Sequence, residues 1–164
     1  MRLERIGREH VRDGFDCGEP ELDEYLRRFA RQNDERDLSR TYVAVRAGER
    51  DVVGYLTLRS GMVSCDDLPE VERRRLPRYP IPVVHLARLA AHREAQGHGL
   101  GGWLLVHALE QVLRVAEGIA VYAVEVVAMS GAARTFYERY GFRPLQDDPD
   151  HLYLSIAAIR RALA

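Results

Sequence analysis

The feature that most constrains this chain is a single stretch near its middle. Val83 to Ala91 is a mostly apolar run, introduced by Pro80 and Pro82. A glycine cluster follows, Gln96-Gly97-His98-Gly99-Leu100-Gly101-Gly102. Then Leu100, Leu104, Ala108 and Val112 recur at i+4. An apolar run this continuous reads as a central strand buried on both faces, and the i+4 spacing reads as a long amphipathic helix. A strand covered on both faces demands helices packed on a sheet, so the fold class is α/β. The glycines allow the backbone to approach an anion while N–H groups at the helix start point at it.

The flanking segments extend this frame. Arg2 to Ile6 alternates weakly, as an edge strand would. Pro20 suits a first helical position, and Leu22, Tyr25, Leu26 and Phe29 mark an amphipathic helix to about Gln32. Asn33 to Arg40 is polar and reads as a loop. Thr41 to Arg46 and Val52 to Arg59 read as strands joined by a hairpin turn at 47–51. Leu68 to Leu76 reads as one or two helical turns ended by Pro77. Val121 to Val127 is a second buried strand. Ser130 to Tyr140 is a helix with Ser130 as N-cap and Gly141 as its stop. Leu152 to Ile156 reads as a last strand, and Ala157 to Leu163 as a short helical tail. The order β-α-β-β-β-α-β-α-β in 164 residues leads us to expect one domain over residues 1–164 with a mixed sheet.

Composition narrows the chemistry. With 46% hydrophobic and 30% charged residues the chain is globular, and no apolar run approaches the roughly 20 residues of a membrane span. Met1 to Arg12 lacks the apolar heart of a signal peptide, so the expected compartment is the cytoplasm. Two cysteines, Cys17 and Cys65, lack metal-ligand spacing. The histidines show no HExxH, so no metal is expected. Net charge is −1, yet all 24 basic residues are arginine, each a planar fork suited to phosphate or carboxylate. Coding bias accounts for this as readily as function does.

The glycine cluster fits two patterns. Gly97-x-Gly99-x-x-Gly102 fits a dinucleotide turn; Gln96-x-x-Gly99-x-Gly101 fits a pyrophosphate loop of acetyltransferases. The dinucleotide pattern wants an acidic residue closing the next strand, about 20 residues on. Glu117 and Glu125 are the candidates, and Glu125 falls inside that strand. The acetyltransferase pattern fits better.

Val84 to Ala91 followed by Gln96 to Gly101 resembles motif A of the GNAT N-acetyltransferases, and Ala133 to Phe142 resembles their motif B. Phe15 to Leu26, Gly54 to Leu58 and Arg88 to Ala90 resemble the toxin branch of that superfamily. The resemblance implies a GNAT fold: a mixed, mostly antiparallel sheet, a V-shaped splay between its two central parallel strands, and helices on both faces. It implies acetyl-coenzyme A as cosubstrate. The pantetheine arm would lie along Leu89, Ala90 and Ala91, and the pyrophosphate on Gln96, Gly97, His98, Gly99, Leu100, Gly101 and Gly102, with Ser130 also at the coenzyme. Tyr137 would be the general acid for the departing thiolate, with Tyr140 as its structural neighbour.

For the toxin branch the implied acceptor is the α-amino group of aminoacyl-tRNA, and the implied partners are a ribbon-helix-helix antitoxin and a second copy in a homodimer. Arg40, Arg73, Arg74, Arg75, Arg78, Arg88 and Arg93, joined by Arg36 if they share a face, are candidates for tRNA phosphates; a solvated surface is their other reading. Glu125 is a candidate base acting through water, or a buried-edge carboxylate paired with an arginine. A free α-amino group has a pKa of about 8, so a dedicated base is not obligatory. Two positions depart from the family pattern, Val127 and Ser130. An acetyltransferase for a small amine, peptide N-terminus or lysine, and a coenzyme-binding module without activity, are the other functions compatible with these motifs.

Overall fold

β-Branched and aromatic residues place three strands near the N-terminus, and their ladders fix the register. In a computed structural model describing residues 1–164, β1 (Arg2–Arg5) pairs antiparallel with β2 (Arg40–Val45), from Arg2↔Val45 to Arg5↔Tyr42. β2 pairs antiparallel with β3 (Val52–Val63) through a turn in which Gly48 takes φ +78°. β3 runs past the expected stop at Arg59. Arg59 and Ser60 are exposed and polar, which reads as loop, but a ladder bonds through backbone and tolerates polar side chains on a solvated face.

The chain divides into two compact units, each made of two segments. The first comprises Met1–Arg59 and Leu86–Ala108. Its core gathers Ile6, Phe15, Tyr25, Leu26, Ala30, Val43, Val52, Tyr55 and Ala90. The expected helix after Pro20 is present as α1 (Pro20–Glu24), one π-helical turn at Tyr25–Phe29, and α2 (Ala30–Glu35). The wider turn shifts the helical phase. Ala30 is therefore fully buried and Phe29 is 43% exposed, the reverse of the regular spacing. The helix also reaches into the polar stretch expected as loop. Asp34 is buried there because it accepts from Arg5 (2.6 Å) and from the Thr41 N–H (3.0 Å). Gly54 completes this unit: a Cβ there would stand 3.0 Å from Leu104 Cδ1 and 3.2 Å from the Ala90 carbonyl.

The second unit comprises Ser60–His85 and Leu109–Ala164. It holds α3 (Glu70–Arg73), preceded by a 3₁₀ turn at Cys65–Asp67 that Ser64 caps. β4 (Ile81–Ala91) begins here and pairs parallel with β5 (Ala123–Val127) over Val83↔Ala123, Val84↔Val124 and His85↔Glu125. The registered pairs end at that rung, while β4 extends to Ala91 and β5 to Val127. β5 pairs antiparallel with β7 (His151–Ser155), which pairs with the two-residue β6 (Arg143–Pro144). α5 (Gly131–Arg139) starts at Ser130, whose hydroxyl accepts from the Ala133 N–H at 3.1 Å, and stops before Gly141 at φ +94°. Ser155 caps α6 (Ile156–Leu163) in the same way. Ile81, Val83, Ala123, Leu145, Tyr153, Leu68 and Val63 form the core.

The strand order is β1-β2-β3-β4-β5-β7-β6, antiparallel in every registered ladder except β4–β5. No helix is long and apolar enough to cross a membrane.

Candidate active site

The glycine turn lies in the first unit, between β4 and α4 (Leu100–Gly118). Gly97 and Gly99 sit at φ +79° and +80°, a left-handed conformation that L side chains resist, and each faces open space on its Cβ side. Gly97, His98 and Gly99 are exposed, while Leu100 is buried and anchors the helix start. The first N–H groups of α4 have no carbonyl to bond within the helix, so they are available to an anion. Gln96 braces the turn: its amide donates to the Cys17 carbonyl and the Ala91 carbonyl, both at 2.9 Å. Arg93 ties the same region to Asp16 at 2.9 Å. Gln96 thus shapes the loop through its side chain, and the open faces belong to the glycines. Leu89, Ala90 and Ala91 lie on the stretch of β4 past its last rung with β5.

Tyr137 belongs to the second unit. It is 7% exposed, on α5, with Phe136 and Phe142 rings 5.2 and 5.4 Å from its own. Burial pushes its phenol well above the ordinary tyrosine range, so at neutral pH it carries its proton. The hydroxyl makes no protein hydrogen bond, yet it is not among the occluded polar atoms. The hydroxyl is therefore a polar atom of this largely buried ring that is open to a partner. Tyr140, one turn on, is 37% exposed and packs on Phe136 at 5.3 Å.

Glu125 on β5 is 6% exposed, and its partners are histidines, not the arginine anticipated. His85 Nδ1 lies against Oε1, and His151 Nε2 against Oε2. His151 Nδ1 in turn meets Asp147 at 2.8 Å. Burial alone would raise the Glu125 carboxyl, but the hydrogen bonds and charges of the two histidines outweigh it and hold the group below its usual value. Burial would lower His151, and its bonds to Asp147 and Glu125 reverse this and raise it. Strand pattern alone conceals this constellation, because His85, Glu125 and His151 are far apart in sequence and only the ladder register joins them.

The arginines separate by unit. Arg73, Arg74 and Arg78 line a cavity of about 380 Å³ with Cys65, Asp66 and Glu70. Arg74 pairs with Glu70 at 2.7 Å, and Arg73 donates to the Asp66 carbonyl. Arg75 and Arg78 have no ion pair. In the first unit each candidate has a local partner: Arg40 with Asp37 at 2.7 Å, Arg93 with Asp16, and Arg88 stacked 3.6 Å over the Tyr25 ring. Arg36 is exposed.

Two other reactive clusters are spoken for. Glu4, Glu9 and His10 stand close together, but His10 Nδ1 accepts from the Gly7 N–H and Nε2 bonds Glu4, which uses both ring nitrogens. Burial pushes the Cys17 thiol up to about 11, which removes the thiolate a nucleophile needs.

This geometry meets its match among known proteins. The Acetyltransferase (GNAT) domain family matches residues 37–144. A tRNA-acetylating toxin of Mycobacterium tuberculosis is 42% identical over 140 residues, covering 85% of this chain and 82% of the relative. The solved structure of AtaT complexed with acetyl-methionyl-tRNAfMet superposes with a TM-score of 0.93 at 28% identity, covering 99% of both chains. A tyrosine-to-phenylalanine mutant of AtaT, bound to the C-terminus of the antitoxin AtaR and to acetyl-CoA, superposes with a TM-score of 0.85 at 27% identity, over 99% of this chain and 98% of the other. The left-handed glycines before α4, the parallel pairing of β4 with β5 and the family match lead to one conclusion: the chain belongs to the GNAT acetyltransferases.

Proposed function

We propose that this protein transfers the acetyl group of acetyl-coenzyme A to the α-amino group of an aminoacyl-tRNA, and so blocks translation in the cytoplasm. A cognate antitoxin would hold it in check, as AtaR is seen bound to AtaT. The observation that carries the reading is the 42% identity to a tRNA-acetylating toxin over 85% of this chain.

The residues fit the chemistry. The turn from Gly97 to Gly102, with the start of α4, offers N–H groups to the pyrophosphate of the coenzyme, and the backbone of Leu89, Ala90 and Ala91 serves the pantetheine amides. Ser130 keeps its hydroxyl hydrogen to donate while its oxygen caps α5. Bound acetyl-coenzyme A supplies the activated acyl group. Tyr137, protonated and with a hydroxyl free of protein hydrogen bonds, gives the proton that the departing thiolate takes. The arginines of the 380 Å³ cavity, with Arg75 and the first-unit arginines Arg40, Arg88 and Arg93, provide forks for tRNA phosphates.

The test is a cell-free translation reaction with the purified protein, with and without acetyl-coenzyme A, alongside Tyr137→Phe. Inhibition that requires acetyl-coenzyme A and is lost in the variant is the expected result. Undiminished reporter synthesis by protein that binds acetyl-coenzyme A would reject the tRNA acceptor.

A further inference from the structure

We propose that His85 is the general base of the transfer, with Glu125 and His151 as the positioning residues that hold it in that role. The proposal rests on the acetyl-transfer reading above and deepens it.

His85 and Glu125 face each other on the last rung of the parallel ladder. That rung immediately precedes Leu86–Ala91, the run of β4 to which the proposed function gives the pantetheine arm. Room for both side chains is built in at Gly61 of β3, where a Cβ would come 3.5 Å from His85 Cβ and 3.8 Å from Glu125 Oε1. The two nitrogens of His85 then have different fates. Nδ1 is buried in ion-pair contact with the carboxylate and has no aligned hydrogen-bond partner, so the attraction there is one of charge. Nε2 has no protein partner and is not occluded.

A carboxylate against Nδ1 keeps the ring hydrogen there, leaves the lone pair on Nε2, and stabilises the imidazolium once Nε2 takes a proton. Glu125 cannot itself receive that proton: both of its oxygens are engaged by histidines, and it stays ionised. Its second oxygen meets His151, whose far nitrogen reaches Asp147, 40% exposed at the surface. β3 contributes Gly61, and β7 contributes Tyr153 opposite Glu125, whose hydroxyl donates to Glu72 at 2.5 Å. Tyr122 also donates to Glu72.

In the step, the amine nitrogen forms its bond to the acetyl carbon and gives one proton to His85 Nε2. The C–S bond breaks, and its electron pair on sulfur takes one proton from the Tyr137 hydroxyl. Solvent then removes the proton from His85 and restores that of Tyr137. One proton leaves the amine and one arrives on the thiol, so the reaction balances as amide plus thiol.

The test measures initial rates against pH with aminoacyl-tRNA and, separately, an α-amino acid ethyl ester as acceptors. His85→Gln should lower kcat about 10²–10³-fold while leaving the acetyl-coenzyme A Kd unchanged. Imidazole in the buffer should restore part of the activity of His85→Ala, which a structural role would not allow. Glu125→Gln, or His151→Asn should the former fold poorly, should move the acidic limb of the pH–rate profile, where the base is protonated, to lower pH by removing support for the imidazolium. His85→Gln at the wild-type kcat, with an unchanged pH profile on the acceptors used by the wild type, overturns the assignment. Wild-type acetylation of the ester but not of aminoacyl-tRNA overturns the tRNA reading alone, and the ester rates then decide on His85. Acetylation of neither overturns both.

Discussion

Replacing Gly99 by alanine separates backbone conformation from contact. Gly99 stands at φ +80° with nothing within 4 Å of a built Cβ, so the new methyl neither clashes nor packs. The cost is the left-handed conformation alone, about 1–2 kcal/mol for an L residue. Gly118 supplies the control. It also has open space, but it ends α4 without a positive φ, so alanine there stabilises by about 0.5–1 kcal/mol. The same chemical change thus has opposite signs at two open positions of one strand–turn–helix unit. In a domain of this size each kcal/mol moves Tm by about 2–4 °C, well within calorimetric resolution. If the turn relieves the strain by swinging its N–H groups aside, acetyl-coenzyme A affinity falls by about 5- to 30-fold, the same 1–2 kcal/mol read by isothermal titration. Equal shifts of Tm at both positions, or a Gly99→Ala variant with unchanged Tm and unchanged affinity, would refute the reasoning.

Four further outcomes follow from the contacts. Tyr137→Phe removes a hydroxyl that has no protein partner, so Tm should hold while kcat falls about 10²–10⁴-fold in a thiol-release assay. Gly54→Ala forces a methyl to within 3.2 Å of the Ala90 carbonyl and should cost about 1–3 kcal/mol in urea unfolding. Asp34→Ala strands the buried Thr41 N–H and should cost about 1–3 kcal/mol in the same measurement. Glu125 titrates below its ordinary 4.5, so its stabilisation is complete above that pH and is lost as pH falls through the lower folded value; His151 titrates above 6.5, so its share is complete below 6.5 and lost as pH rises through the higher folded value. Thermal melts across pH should therefore show this network contributing most between 4.5 and 6.5, and His151→Asn should flatten the alkaline side.

Much of the frame was legible because its signals are local. Apolar continuity marked β4 and β5, i+4 recurrence marked α4, and Ser130 and Gly141 bounded α5 through capping and a positive φ. The π-helical turn at Tyr25–Phe29 was not, since one wider turn changes which residues face inward without changing their apolar character. Helical Asn33–Glu35 was hidden by polarity, because Asp34 is buried by its partners and not by its own side chain. The two-residue β6 carries no period at all. At the site, the glycine turn and Tyr137 were readable as motifs. The arrangement of His85, Glu125 and His151 was not, because it depends on sheet register: His85 shares a rung with Glu125, and His151, paired with Val127, lies two residues along β7 from Tyr153, the partner of Glu125, relations that no spacing along the chain encodes.

The central claim is acetyl transfer to the α-amino group of aminoacyl-tRNA. The most direct measurement incubates charged tRNA with isotopically labelled acetyl-coenzyme A and this protein, then releases the 3′-terminal aminoacyl-adenosine by nuclease for mass spectrometry. The account predicts labelled N-acetyl-aminoacyl-adenosine, absent when Tyr137→Phe replaces the wild type. Label that remains wholly on the coenzyme, or that leaves it only for other amines while the aminoacyl-adenosine stays unmodified, would contradict it.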